Sequence, residues 1–176
     1  MMDDKKVNHL DIIKYPNEIL RQKTALVDKI TEEIFELVEA MKKTMLKNEG
    51  VGLAANQVGK NHRLFVLNTT PYEDVPTPII VINPEIINQE GADTDEEGCL
   101  SFPDLRIDIE RPKMIRLQMQ TIYNEKVILE IQDFLARAAC HEIDHLNGVL
   151  FIERVLEKDK AKVQKYLEEH FASRGR

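Results

Sequence analysis

Apolar positions in this chain recur at two spacings, and the alternation between them divides it into elements. Pro16 and Asn17 open a short helix carrying Ile19 and Leu20. Thr31, followed by Glu32 and Glu33, reads as the N-cap of a longer helix, because a hydroxyl can accept from the free backbone N–H groups and the acidic pair suits the positive end of the helix dipole. Ile34, Leu37, Val38, Met41 and Met45 then fall on one helical face, and the pattern stops near Asn48-Glu49-Gly50. The stripe predicts a helix with one side in the core.

After a glycine-rich turn, Leu64-Phe65-Val66-Leu67 and Ile79-Ile80-Val81-Ile82 predict strands, the second continuing past Pro84 to Ile86-Ile87. The stretch 69–78, with Pro71, Pro76 and Pro78, is the loop between them. Ile115, Leu117 and Met119 alternate with Arg116, Gln118 and Gln120, the period of a strand with one wet face. Asn124-Glu125 turns the chain into Val127-Ile128-Leu129-Glu130-Ile131, completing an antiparallel hairpin. Helical spacing returns after Asp133, the expected cap of a helix that buries Phe134, Leu135, Ala138 and Leu146 with His141 and His145, and Asn147-Gly148 ends it. A last amphipathic helix is expected over 156–171, with Val163, Tyr166 and Leu167 on its inner face. The implied fold class is α+β: antiparallel or mixed β-sheets around a central helix, with a helix towards each end.

A chain of 176 residues, 43% of them hydrophobic, suits one domain, 1–176, with a core that needs no disulfide. The formal net charge of -7 argues against DNA or an anionic membrane as partner. Met1-Met2-Asp3-Asp4-Lys5-Lys6 lacks the apolar core of a secretion signal and no stretch is long and apolar enough to cross a bilayer, so a cytoplasmic protein is expected. Its two cysteines, Cys99 and Cys140, are then free thiols. Cys140 lies about 100° around the helix from its neighbour His141 and reads as a small core residue.

The candidate chemistry lies in His141-Glu142-Ile143-Asp144-His145, whose two imidazoles, four residues apart on a helix, can grip one metal ion with Glu142 beside it. A thiolate or carboxylate from elsewhere must complete the site, and Cys99, in Glu97-Gly98-Cys99-Leu100-Ser101, is the candidate. Three protein ligands leave one position for water of lowered pKa, which points to a metallohydrolase. Gly50-Val51-Gly52-Leu53-Ala54-Ala55-Asn56-Gln57 packs small residues into a turn of the kind that lets backbone approach a ligand closely.

Together, in this order, these three stretches resemble the signature motifs of peptide deformylases. The resemblance runs from about 12 to 154 and takes in Tyr15-Pro16, Ile19-Leu20 and Leu146-Asn147-Gly148-Val149-Leu150-Phe151. It implies an enzyme that removes the formyl group from the N-terminal formylmethionine of new proteins and releases formate. It also implies one divalent metal ion per chain, Fe(II) by preference with Zn, Ni or Co able to substitute, held by Cys99, His141 and His145.

Under that resemblance Glu142 is the general base that passes a proton to the leaving amine, while the Gln57 amide and the Leu100 backbone N–H receive the oxyanion. Asp144 pairs with Arg111. Peptide substrate pairs as an added strand near Val51, Gly52 and Gly98, whose glycines leave room for it, and Arg106 can touch it further along. The partner implied is the formyl-Met N-terminus of nascent polypeptides; apart from the resemblance, the ribosome is a candidate partner, since the acidic balance disfavours rRNA but leaves room for docking to a ribosomal protein, with the C-terminal helix as one candidate point of contact. Cys140 stands where the family commonly has glutamine, and Asp104-Leu105-Arg106-Ile107-Asp108-Ile109 departs from the commonest version.

Two other readings stay open on the residues alone. A zinc peptidase would share the His-Glu-x-x-His pattern but take its third ligand downstream, where Glu153 and His170 are the candidates. A structural metal module would need a fourth protein ligand.

Overall fold

The computed structural model describes residues 9–69 and 78–171, so nearly all of the proline-rich loop expected over 69–78 falls outside the described residues. The predicted first long helix is α1, Glu32–Lys47, and its buried stripe includes Ile34, Leu37, Val38, Met41 and Met45 as expected. Thr31 stands at its N-cap position, although its hydroxyl makes no capping bond. The predicted short helix is a single 3-10 turn, Glu18–Arg21, with the Asn17 side chain accepting from the Ile19 N–H.

Five strands form one antiparallel sheet in the order β1-β2-β3-β6-β7: β1 (Gly52–Ala54), β2 (Leu64–Leu67), β3 (Ile79–Glu90), β6 (Met114–Gln120) and β7 (Lys126–Gln132). The sheets are antiparallel throughout rather than mixed. β2 is apolar at every position because both of its faces are covered. Leu64 and Val66 pack into a cluster with Val38, Met41 and Met45 of α1. Phe65 and Leu67 pack on the other side with Ala136, Ala139, Cys140 and Ile143 of α2, Asp133–Leu146. The two helices therefore sandwich the sheet, with α2 as the central one.

The expected cap of α2 differs. Gln132 precedes the helix without a capping bond, and Asp133 is its exposed first residue, at φ 52°. Its inner face is also displaced from the expected one. Ala136, Ala139, Cys140, Ile143 and Leu146 are buried with the histidines, whereas Phe134, Leu135 and Ala138 are only partly buried. Phe134 and Ala138 are half-open because they line a cavity.

Three strands lie outside those expected: β1, within the stretch read as a turn of small residues, and two more. β4 (Asp93–Cys99) and β5 (Phe102–Arg111) pair as a separate two-stranded sheet. β4 carries Asp93, Asp95, Glu96 and Glu97 with no apolar alternation to reveal it. β5 does alternate, and its Leu105, Ile107 and Ile109 enter a third cluster with Leu20, Phe151 and two residues of the last helix. That helix, α3 (Lys160–Phe171), starts later than expected because 3-10 turns, Phe151–Arg154 and Glu157–Asp159, precede it. Val163 and Tyr166 are its buried residues, and Leu167 is partly buried against the same cluster.

Candidate active site

The site forms where three elements meet. β4 ends at Cys99, α2 carries His141, Glu142 and His145, and a 3-10 turn, Ala55–Val58, carries Gln57 directly after β1. The side-chain ligand atoms of Cys99, His141 and His145 all lie within 4.8 Å of one another. Cys99 Sγ is 3.2 Å from His145 Nε2, and the two rings are 4.9 Å apart between centroids. One thiol and two imidazoles converging at this separation fit a divalent ion bound through sulfur and nitrogen. Among the described residues no other His, Cys, Asp or Glu joins the group. Cys140 packs in the apolar cluster instead, with burial pushing its thiol up to about 11. The downstream candidates are engaged elsewhere, Glu153 with Arg21 and His170 against the Tyr166 ring.

A buried network of charges holds the first histidine. His141 Nδ1 is 3.0 Å from Glu97 Oε2, which leaves Nε2 to face the cluster. Arg111 grips both Glu97 oxygens, Nε to Oε1 at 2.8 Å and Nη2 to Oε2 at 3.0 Å, and donates through Nη1 to Asp144 Oδ2 at 2.6 Å. Arg137 adds a bond to Glu97 Oε1 at 3.0 Å and donates to the Ile109 and Asp93 carbonyls, tying α2 to both β4 and β5. Arg154 reaches Asp144 from the far side. Two buried carboxylates thus meet three guanidiniums, which satisfies charges that would otherwise be costly to bury. Burial pushes the Glu97 carboxyl up, but the bonds from His141 and Arg111 outweigh it and hold the pKa down at about 2.

Glu142 is different in kind. It is 4% exposed, its Oε2 has no hydrogen-bond partner among the described residues, and burial pushes its pKa up to about 7. Gly52 makes this position available: a Cβ there would stand 2.4 Å from Glu142 Oε1 and 2.7 Å from its Cδ and Cγ. The missing side chain at Gly52 therefore makes space for the glutamate. At Gly98 a Cβ would stand 3.0 Å from Arg106 Nε, so that glycine accommodates Arg106, its cross-strand partner.

Gln57 is oriented without ambiguity by its own neighbours. Its Oε1 accepts from the Ala54 N–H at 2.9 Å, which turns Nε2 towards Ser101 Oγ at 3.2 Å and Cys99 Sγ at 3.7 Å. The adjacent Asn56 donates to the His145 carbonyl at 2.6 Å, fixing the turn to the end of α2. A cavity of about 380 Å³ opens in front of these groups, lined among others by Val51, Gly52, Gln57, Gly98, Leu100, Arg106, His141 and Glu142. Among the described residues β1 ends the large sheet and β4 pairs only with β5, so strand edges without a strand partner there supply two of its walls.

All ten residues singled out from the sequence therefore gather at this place, with His145 behind the cavity wall and Arg106 on its exposed rim. The Asp144 and Arg111 pair is also present. Glu97, Arg137, Arg154 and Ser101 were not anticipated in their roles. For Glu97 the sequence offered no signal, because nothing in 93–99 marks a strand.

The family described as "Polypeptide deformylase" matches residues 9–161. Peptide deformylase 1 of Clostridium acetobutylicum is 41% identical over 148 residues, covering 84% of this chain and 95% of its own. The peptide deformylase of Aquifex aeolicus is 43% identical over 146 residues, 82% of this chain and 86% of its own. Among solved structures, the Thermotoga maritima peptide deformylase superposes with a TM-score of 0.80 at 39% identity, over 85% of this chain and 99% of that one. The Synechococcus elongatus enzyme in complex with actinonin gives 0.85 at 34% identity, over 91% and 86%.

Proposed function

The chain belongs to the polypeptide deformylase family, enzymes that remove N-formyl groups from nascent peptides, and on that premise we propose that it hydrolyses the formyl group of N-terminal formylmethionine and releases formate. One observation carries the reading. A buried carboxylate with a free oxygen stands beside a thiol and two imidazoles at the wall of a cavity, with an amide N–H₂ oriented towards the same point.

Cys99 as thiolate and His141 and His145 as neutral imidazoles would hold one divalent ion per chain, for which we propose Fe(II), with Zn, Ni or Co able to substitute. When bound, such an ion supplies Lewis acidity that lowers the pKa of water and polarises a carbonyl. The chain's own groups do the rest. Glu142 takes the proton of the attacking water and returns it to the departing amine, so that formamide and water become formate and a free N-terminus. Gln57 Nε2 and the Leu100 N–H donate to the oxygen on which charge develops. Glu97 keeps His141 in the tautomer that leaves Nε2 free.

The peptide lies as an added strand between the open edges near Val51, Gly52 and Gly98, and Arg106 on the rim meets its later residues. The proposal covers the chain as one catalytic domain acting in the cytoplasm on nascent chains, with docking at the ribosome. Among the described residues no helix is long and apolar enough to cross a membrane.

The test is formate release from a formyl-Met peptide by metal-loaded protein prepared without oxygen, compared with Glu142→Ala at equal metal content. Release by the wild type, its collapse in the variant and its loss on chelation are expected. Cleavage of unformylated peptides without formate release would instead indicate a peptidase.

A further inference from the structure

We infer that residues 13–15 form a strap that sets the spacing of the two oxyanion donors, with Lys14 as a positioning residue; the inference rests on the reaction proposed above. Gln57 belongs to the turn after β1, and Leu100 to the turn between β4 and β5, so the two donors are carried by turns of separate sheets. The side-chain bond from Gln57 to Ser101 joins them. The strap adds three more bonds around it. The Ile13 N–H donates to the Gln57 carbonyl at 2.8 Å, the Tyr15 N–H to the Ser101 carbonyl at 3.0 Å, and Lys14 Nζ to the Leu100 carbonyl.

Ile13 and Tyr15 are two residues apart, so their N–H groups tie the Gln57 turn and the β4–β5 turn to one short stretch of backbone. Their side chains anchor the segment. Both pack against the third apolar cluster, and the Tyr15 ring stacks on Phe102 at 4.9 Å and meets Phe171 of α3 edge-on at 5.1 Å.

An apolar staple needs nothing more, and that makes Lys14 informative. It is exposed, yet its ammonium is turned to the Leu100 carbonyl at the cavity wall. It thereby pins the residue whose own N–H is the second donor, one peptide before the carbonyl held by Tyr15. Oxyanion stabilisation depends on donors that are fixed before charge develops, and displacements of about 1 Å cost up to roughly 100-fold in rate. Lys14 meets this need by holding the Leu100–Ser101 peptide against the strap.

Lys14→Met keeps the stem and removes the ammonium, while Lys14→Arg retains a donor. Both are assayed as metal-loaded full chains for kcat and KM on a formyl-Met peptide, metal content, thermal midpoint and amide hydrogen exchange over 99–103. The expected result for Lys14→Met is a kcat about tenfold lower, KM within about twofold, unchanged metal content and thermal midpoint, and faster exchange at Leu100 and Ser101, with most of kcat restored in Lys14→Arg. An unchanged kcat, a rise in KM alone, or a loss that tracks metal content or thermal midpoint overturns the inference. If the wild type itself releases no formate, the proposed function fails, and the strap is judged by exchange: faster in Lys14→Met sustains it, and unchanged overturns it.

Discussion

Replacing Gly52 by alanine should disable the site without removing any group from it. The added methyl would stand 2.7 Å from both Cγ and Cδ of Glu142 and 2.4 Å from Oε1. Carbon pairs rest at about 3.5 Å or more, so the glutamate or the β1 backbone must retreat by about 0.8 Å. Glu142 is on a buried helix turn between two proposed metal ligands, which leaves its carboxylate as the part that can give. A displacement of that size at a group that must reach both water and amine nitrogen is worth about 100-fold in kcat, or about 2.7 kcal/mol of barrier. The assay is formate release at measured metal content, which should stay at the wild-type level because no ligand is touched. Glu142→Ala provides the control, read as thermal midpoint: it removes Cγ, Cδ and Oε1 together, so whatever Gly52→Ala costs with Glu142 present should vanish in that background. A Gly52→Ala enzyme within threefold of wild type, or equal losses of thermal midpoint in the two backgrounds, would refute the contact as the reason for the glycine.

Gln57→Ala should lower kcat about 100-fold to 1000-fold with metal retained, since it deletes one oriented donor and no ligand. Arg111→Met should lower stability by roughly 3–5 kcal/mol in urea titrations, because Glu97 and Asp144 would each lose a buried partner. Glu97 gives a pH dependence of definite sign. Its carboxyl titrates near 2 in the folded chain against 4.5 as its ordinary value, so the unfolded chain binds more protons in that window and stability falls as pH falls through it. In chelator, that fall should be on the order of 3 kcal/mol and be missing from Glu97→Gln; equal acid slopes in the two proteins would contradict the assignment.

How much of this was legible in the sequence depended on whether an element reports its own burial. α1 and the hairpin of β6 and β7 did, because each buries one side and so carries the period of its secondary structure. β2 read as a strand for the opposite reason, since cover on both faces makes it apolar throughout. β4 reports nothing. Its outer positions are acidic and its buried one is Glu97, a charge satisfied by arginines from β5 and α2. No hydrophobic pattern can mark a strand whose inward face is held by ion pairs.

The same distinction runs through the site. His141 and His145 could be paired from spacing because one helix sets their separation, and motif order brought Cys99 and Gln57 to them by resemblance. What orients those groups comes from elsewhere in the chain and at no fixed offset: Glu97 behind His141, Ser101 before Gln57, Arg154 behind Asp144. Gly52 shows why such contacts escape a reading of motifs. A glycine in a small-residue turn announces that something comes close, and a peptide edge was a reasonable occupant. The neighbour that the missing Cβ admits is a side chain from α2, so the absence of a Cβ on β1 and the presence of the proposed catalytic carboxylate on α2 are one requirement written at two places in the chain.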